Sequence, residues 1–303
     1  MDIIGGDLTK QITSQVDLFW SKMQQNVIEN KFNSEYTPQA NIQPGMAIEF
    51  SVKGANNMYL DLNNSRLHVL AKIINADNTN IDANKTAPIT LTLHSMFCEI
   101  GLELNGRNVA TRASCTRIAY TWRLFSTFAT TQQTRLLCEG WTKDTTGHMC
   151  VTAVDWNNAG LNGRAATIAR STVVELIGRP HLDVSNQKRL IPPNIDLHLK
   201  LMPNSSNLLC KSAAPGRAQQ ENYKLDILSV NLIILTKKLT STAYGALMDL
   251  IILQNLRHHI LRVQKHFSIP GNQTFINLDN VCTNALPDLV IVGLVSEADI
   301  AGG

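Results

Sequence analysis

The sequence predicts an all-β protein built from stacked antiparallel sheets. Apolar residues alternate with polar residues over many short segments of the 303-residue chain, and turn residues separate these segments. Several such segments follow one another directly, whereas an α/β fold would alternate strands with helices. Only a few stretches have the three-to-four-residue apolar spacing of a helix. We therefore expect a β-sandwich class with short helical insertions.

Most of the predicted strands show period-2 alternation, which places every second side chain on a core, while residues 173–177 form a short apolar strand and residues 289–295 are almost wholly apolar, as in a buried strand. The predicted strands cover residues 48–52, 60–62, 67–73, 89–93, 98–104, 173–177, 195–201, 228–234, 261–267 and 289–295. Burial is expected at Leu67, Val69, Leu197 and Leu199. The strand that ends at Leu104 runs into Asn105-Gly106. Because Asn-Gly after an alternating strand favours a two-residue turn, we expect a hairpin there.

Three stretches have helical spacing. Near the N-terminus, Ile12, Val16, Phe19 and Trp20 share one face, which predicts an amphipathic helix within about the first 30 residues. Residues 115–125 and 242–257 show similar spacing. Residues 140–163 are polar and contain several glycines, so they are predicted to form a loop.

The composition excludes several classes of protein. Apolar residues make up 44% and charged residues 17%, which suits a globular core rather than disorder. The net charge of +3 does not favour nucleic-acid recognition through a dense basic face. No apolar run reaches the length of a membrane span, and no secretory signal is recognised. The six cysteines are therefore expected to stay reduced inside a cell.

A search for catalytic chemistry finds only weak candidates. Cys98 lies near His94 and Cys150 near His148, but a Cys–His dyad is assembled in space and needs an orienting third group. The adjacent pair His258-His259 would point to opposite faces of a strand. No C-x-x-C pair or glycine-rich phosphate loop occurs. We therefore expect no enzyme activity, no catalytic residue, no metal and no cofactor.

Four strings, in order along residues 37–300, resemble the capsid proteins of Polinton (Maverick) elements and adintoviruses. The first string is Tyr59-Leu60-Asp61-Leu62 with Ser65-Arg66-Leu67-His68-Val69, and the second is Leu93-His94-Ser95-Met96-Phe97 before a strand that ends in Leu104-Asn105. The third is Ile177-Gly178-Arg179-Pro180-His181-Leu182-Asp183, and the fourth is Leu286-Pro287 before Gly293-Leu294-Val295. Each string alone is weakly specific, and the shared order carries the resemblance.

The resemblance implies a double jelly-roll, hexon-like major capsid protein. Such chains form trimers whose six jelly rolls make a pseudo-hexagonal capsomer of an icosahedral virus-like shell. The expected partners are further copies of the chain and a penton or minor capsid protein, and the expected location is a virion assembled inside the host cell. The domain prediction is a helical arm over 1–36, a first jelly roll over 37–170 and a partial second jelly roll over 171–303.

The second jelly roll is expected to be incomplete. A jelly roll needs eight strands, and residues 171–303 offer about five. A trimmed chain, a degraded endogenous copy that no longer assembles, or an open edge paired by another molecule would each explain the shortfall. Ile3-Ile4-Gly5-Gly6 and Ile300-Ala301-Gly302-Gly303 also resemble the cleavage pattern of adenovirus-type proteases, so cleavage after Gly6 and Gly303 is a hypothesis.

Two other classes of function stay open at this point. A jelly-roll binding module, lectin-like or for host recognition, would need aromatic residues in its loops, and the loops offer Trp141 and Trp156. A cupin-type enzyme would need several histidines and a carboxylate around a metal. His181 with Asp183 is the nearest approach to that set, and both residues belong to the third string.

Overall fold

The structure is a computed structural model of the 303-residue chain. It describes residues 27–83, 86–109, 136–148, 157–180, 182, 184–204, 210–212 and 223–253, with the single residues 269, 275 and 277.

The described residues form strands with few helices. The strands are β1 Ile28–Tyr36, β2 Ile48–Val52, β3 Met58–Asn75, β4 Thr86–Pro88, β5 Phe97–Leu104, β6 Arg107–Asn108, β7 Val174–Gly178, β8 Leu197–Pro203, β9 Cys210–Ser212 and β10 Tyr223–Leu239. The helices are α1 Thr92–Ser95, α2 Ala159–Ile168 and α3 Ser241–Leu253, with 3₁₀ turns at Leu137–Glu139, Ala169–Ser171 and Val184–Asn186.

Eight of these strands form a jelly roll. One sheet has the order β1-β10-β3-β7, here called the β1 sheet, and the other has the order β2-β8-β5-β6, here called the β2 sheet. With the small β4–β9 ladder set aside, the first strand pairs with the last, the second with the seventh, the third with the sixth and the fourth with the fifth. All of these pairs are antiparallel. This nested pairing is the strand order of a jelly roll, so the predicted all-β jelly-roll class is confirmed.

The predicted division at residue 170 runs through this jelly roll. Strands β7, β8 and β10 lie after that position, yet each pairs with a strand that lies before it. The boundary was wrong because alternation reports which side of a strand is buried but not which strand is its neighbour. One jelly roll therefore takes its strands from residues 28–239. A second jelly roll stays a prediction for the residues that follow.

The core lies between the two sheets. The inward rows of β3 and β8 include Leu67, Val69, Leu197 and Leu199, all of which are buried as predicted. They meet Phe50 of β2, which has no exposed surface. Since burial of each such side chain contributes about 1.5–3 kcal/mol, this packing is the main stabilising interaction of the roll.

The predicted Asn-Gly hairpin is also confirmed. Leu104 pairs with Arg107 across the turn. Asn105 and Gly106 have φ values of 48° and 73°, the left-handed conformation that both central residues of a type I′ turn require. The two predicted strands 60–62 and 67–73 are parts of a single strand, β3. The pairing of β3 with β10 is interrupted between Asp61 and Arg66.

Three local predictions were wrong. The arm predicted as helical over 1–36 includes β1, an edge strand whose residues are mostly polar and so give no alternating signal. The predicted strand 89–93 instead follows the end of β4 and consists of a bend at Thr90 and Leu91 and the start of the short α1. The predicted loop 140–163 ends early, because α2 begins at Ala159 with the Asn158 side chain accepting a hydrogen bond from the N–H of Leu161.

Other predictions lie outside the described residues. They are the helical face of residues 12–20, the helix at 115–125, the strands at 261–267 and 289–295, and the end of the predicted helix 242–257. The described part of that last helix is α3, which begins at Ser241.

Candidate functional site

His94 and Cys98, considered from the sequence as a Cys–His pair, each contact other groups. The Nε2 atom of His94 lies 3.0 Å from Oε2 of Glu139. The Sγ atom of Cys98 instead lies 3.6 Å from the carbonyl oxygens of Met202 and Pro203. The two residues thus contact different parts of the molecule. Cys150 and the pair His258-His259 lie outside the described residues.

Two of the resemblance strings meet at Glu139. This carboxylate is buried with 6% exposure, beside His94 with 2%. Its Oε2 atom contacts Nε2 of His94, and its Oε1 atom accepts a 3.3 Å hydrogen bond from the backbone N–H of Arg179. His94 belongs to the second string and Arg179 to the third. Segments far apart in the sequence are therefore joined through one buried side chain, and we call this group the Glu139 cluster.

Close packing fixes the cluster. Gly178 ends β7 beside Glu139, and a Cβ atom there would lie 2.5 Å from Cγ of Glu139 and 2.7 Å from Cδ2 of Leu93. Only glycine fits without a shift of those side chains. Gly140, at φ 79°, ends the Leu137–Glu139 turn, and its carbonyl accepts a hydrogen bond from the N–H of Leu91. The cluster therefore anchors the segment around Glu139 to α1 and to β7.

The first string forms a buried polar corner. Asp61 is 3% exposed, and its carboxylate accepts hydrogen bonds from the backbone and side chain of Asn64 and pairs with Nζ of Lys237 on β10. The Ser65 hydroxyl donates to the Asp61 carbonyl and accepts from the N–H of Leu235. The string thus closes the interruption in the β3–β10 pairing, where backbone groups would otherwise lack partners.

The environment of Asp61 alters its ionisation. Burial acts to raise the pKa of its carboxyl, but hydrogen bonds from Lys237 and Asn64 outweigh burial and hold the pKa below its usual range. Asp61 is therefore an ionised, paired group of the folded state. Of its neighbours in the string, Tyr59, Leu60 and Leu62 are buried.

Leu104-Asn105 lies at the end of β5, the strand that follows the second string. The Asn105 side chain accepts from the N–H of Asp196, and the Asn105 N–H donates to the Asp196 carbonyl, at 2.8 and 2.9 Å. The Asp196 carboxylate also accepts from Lys53 and from the N–H of Gly54, and these bonds lower its pKa. The hairpin is thereby tied to the segment before β8.

Two buried ionisable residues lie outside the pattern that the sequence predicts. Glu139 is one of them, and Arg164 on α2 is the other. The Arg164 guanidinium donates to the carbonyls of Pro88 and Thr142, to the Thr142 hydroxyl and to the carboxylate of Asp144. Nothing local distinguishes either residue from a solvated charge, because burial here results from contacts between distant segments.

The remaining string residues divide into two groups. Phe97 is buried in the core, Ser95 donates to the Leu91 carbonyl, and Pro180 is buried directly after the Glu139 cluster. The group that lies outside the described residues comprises His181, Asp183, Leu286, Pro287, Gly293, Gly6 and Gly303.

Among the described residues no group of three or more histidine, cysteine, aspartate or glutamate side chains is arranged to hold a metal ion. No described helix combines the length and apolar character needed to cross a bilayer.

Comparisons with known proteins give structural matches only. No family model matches the chain, and no curated protein matches its sequence. A structure of the Sputnik virophage matches with 9% identity and a TM-score of 0.49, covering 80% of this chain and 53% of that chain.

Two major capsid proteins also match. The Faustovirus protein matches with 10% identity and a TM-score of 0.46, covering 77% of this chain and 58% of that chain. The mavirus protein matches with 13% identity and a TM-score of 0.41, covering 80% of this chain and 52% of that chain. The chain thus spans about half the length of these solved structures. With TM-scores below 0.5, the assignment of a jelly roll rests on the strand pairing itself.

Proposed function

We propose that the chain is a structural, non-catalytic major capsid protein whose copies associate as trimers and build the shell of a virion. The jelly roll supports this role, because shell proteins of viruses are one of the main uses of that fold. The fold alone is shared with lectins and cupins, so the proposal needs a second argument.

That second argument is the meeting of resemblance strings in space. The Leu93-His94-Ser95 string and the Gly178-Arg179-Pro180 string are separated by more than 80 positions, yet both contact Glu139. The two strings therefore belong to one packed site of the jelly roll, which supports reading them together as one signature. This is the observation that carries the proposal.

The interior of the roll gives no support to the alternative functions. Apolar side chains fill the space between the two sheets, where a cupin would place its metal. Trp141, one of the two loop tryptophans expected for a lectin-like site, packs against Leu91 and Leu136. Trp141 thus serves packing, while Trp156, His181 and Asp183 lie outside the described residues.

The proposal includes part of a second jelly roll after residue 240, to which the strands predicted at 261–267 and 289–295 would belong, and a penton or minor capsid partner. Two sandwiches per chain and three chains per ring would give six similar units, which fit a hexagonal lattice position. The resemblance to Polinton and adintovirus capsid proteins suggests this arrangement.

Electron microscopy of the purified protein tests the proposal. The chain is produced alone and imaged over a range of protein and salt concentrations. We expect ring-shaped capsomers with pseudo-hexagonal outline, and closed shells or sheets at high concentration. Monodisperse single chains under every condition would overturn the proposal, and stoichiometric metal or specific glycan binding would then favour a cupin or a lectin.

A further inference from the structure

The tetrapeptide Leu-Asn-Gly-Arg occurs twice in the chain, at residues 104–107 and 161–164. Asn-Gly is a dipeptide in which the asparagine side chain readily loses ammonia, because glycine has no side chain to hinder attack by its own backbone nitrogen. Since the two copies have the same local sequence, any difference between their reactivities has to come from the fold.

The first copy is the turn between β5 and β6. Asn105 and Gly106 are both exposed, and their φ values are 48° and 73°. The last ladder pair before the turn is Leu104 with Arg107, so the backbone N–H of Gly106 is not part of the ladder. No atom beyond the chain neighbours of Gly106 lies within 4 Å of the place where a Cβ would stand. The turn therefore leaves room for a ring to form between Asn105 and Gly106.

A backbone donor activates the Asn105 side chain. The N–H of Asp196 donates a hydrogen bond to Oδ1 of Asn105 at 2.8 Å. When a nucleophile attacks the amide carbon, negative charge develops on this oxygen, and a donor that already points at the oxygen stabilises that charge. The Asn105 N–H donates in turn to the Asp196 carbonyl at 2.9 Å, which holds the two residues together. The fold thus supplies the first copy with an oxyanion donor.

The second copy lies inside α2, Ala159–Ile168. The N–H of Asn162 donates to the carbonyl of Asn158 at 3.0 Å, and the N–H of Gly163 is the next donor along the helix. Attack by the Gly163 nitrogen would therefore break a helical hydrogen bond. The neighbouring Arg164 is buried and bonded to other segments, which holds this part of α2 in place. The helix thus protects the second copy.

We propose that Asn105 is a site of spontaneous deamidation in the folded protein and that the fold protects Asn162 from the same reaction. The backbone nitrogen of Gly106 gives up its proton and bonds to the side-chain amide carbon of Asn105. The bond from that carbon to the side-chain nitrogen breaks, and the nitrogen leaves as ammonia with the proton. One water molecule then opens the resulting succinimide at either carbonyl, which gives aspartate or isoaspartate. The inference goes beyond the proposed function and does not depend on it.

Isoaspartate would alter the hairpin. Its backbone runs through the former side chain and contains an extra methylene carbon, so a two-residue turn no longer joins Leu104 to Arg107 in the same register. The two hydrogen bonds between Asn105 and Asp196 also lose their geometry. Accumulated isoaspartate should therefore release β6 from β5 and lower the stability of the roll as the protein ages.

Peptide mapping of the full chain tests the site. The folded protein and the same protein in denaturant are incubated at mildly alkaline pH, digested with trypsin and followed by mass spectrometry. In denaturant, Asn105 and Asn162 should react at similar rates, because their neighbours are identical. In the folded protein we expect Asn105 to react about tenfold faster than Asn162 or more. Equal protection of the two asparagines by folding, or faster reaction at Asn162, would overturn the proposal.

Ageing of the Asn105→Gln variant tests the consequence for the hairpin. Glutamine closes the corresponding larger ring far more slowly, so this variant is the control for the wild-type protein, and both are aged in parallel. We expect the melting temperature of the wild-type protein to fall in step with isoaspartate at position 105, and that of Asn105→Gln to stay unchanged. A wild-type protein that accumulates isoaspartate there without any fall would overturn the release of β6. Deamidation found only at other residues would overturn the site itself.

Discussion

His94 and Glu139 form a buried pair, with 3.0 Å between Nε2 and Oε2, that joins α1 to the turn before Gly140. The same carboxylate accepts from the backbone N–H of Arg179, so three chain segments meet at one side chain. Both oxygens of the carboxylate have partners, and the Glu139 and His94 side chains are buried from water. The stability of this end of the sandwich should therefore depend strongly on Glu139.

Glu139→Ala should lower the free energy of unfolding by about 1–3 kcal/mol, because the buried Nε2 atom of His94 and the backbone N–H of Arg179 lose their partner. Chemical denaturation measures the change. Cys138→Ser is the control, since Cys138 is exposed and its substitution should shift stability by less than about 0.5 kcal/mol. Equal stability of the two variants would show that the contacts of Glu139 do not stabilise the fold.

Gly178→Ala should destabilise the fold by about 1–3 kcal/mol, because the new methyl group would overlap Glu139 and Leu93. Gly101→Ala is a matched control on β5, where the nearest atom to the new Cβ is Cβ of Lys200 at 3.8 Å. Thermal melting of both variants measures the difference. A Gly178→Ala protein as stable as Gly101→Ala would contradict the close packing of Gly178 against Glu139 and Leu93.

Gly106→Ala should cost about 1–2 kcal/mol, because φ at this position is 73° and a Cβ atom strains a left-handed backbone. Gly163 lies in α2 with open space around its Cα, so Gly163→Ala should instead stabilise the protein by about 0.5–1 kcal/mol. The two changes differ in sign, and denaturant titration checks both. Stabilisation by both alanines would contradict the type I′ turn.

The stability of the roll should fall in acid through Asp61. Its folded pKa lies below the unfolded value of about 3.9, so its contribution is complete above that value and is lost as the pH falls through the folded pKa. Asp61→Asn should lower the free energy of unfolding at pH 7. Below about pH 4, that free energy should fall less steeply with decreasing pH in the variant than in the wild type. Unfolding free energies measured between pH 7 and pH 2.5 test this. An unchanged slope in the variant would show that other carboxylates dominate.

Sequence patterning predicted the class of fold and most of its central strands. Alternation at Leu67 and Val69, or at Leu197 and Leu199, follows directly from one buried side of a strand, and those residues are buried. The Asn105-Gly106 turn was predictable because its backbone geometry selects its residues.

Pairing was not predictable in the same way. β1 joins β10 across about 200 positions, and nothing local in the polar strand Ile28–Tyr36 reports that partner. The Glu139 cluster has the same origin, since the residue becomes buried only when α1 and the end of β7 close over it. Local pattern thus gives the elements, while their assembly depends on contacts between distant segments.

Sedimentation equilibrium of the purified chain tests the central claim most directly. A shell-forming protein should reach a species with three times the mass of the single chain, in a concentration-dependent and reversible manner, and larger assemblies should grow from that species. A single-chain mass that persists at the highest concentration, with the jelly roll folded by circular dichroism, would contradict the claim.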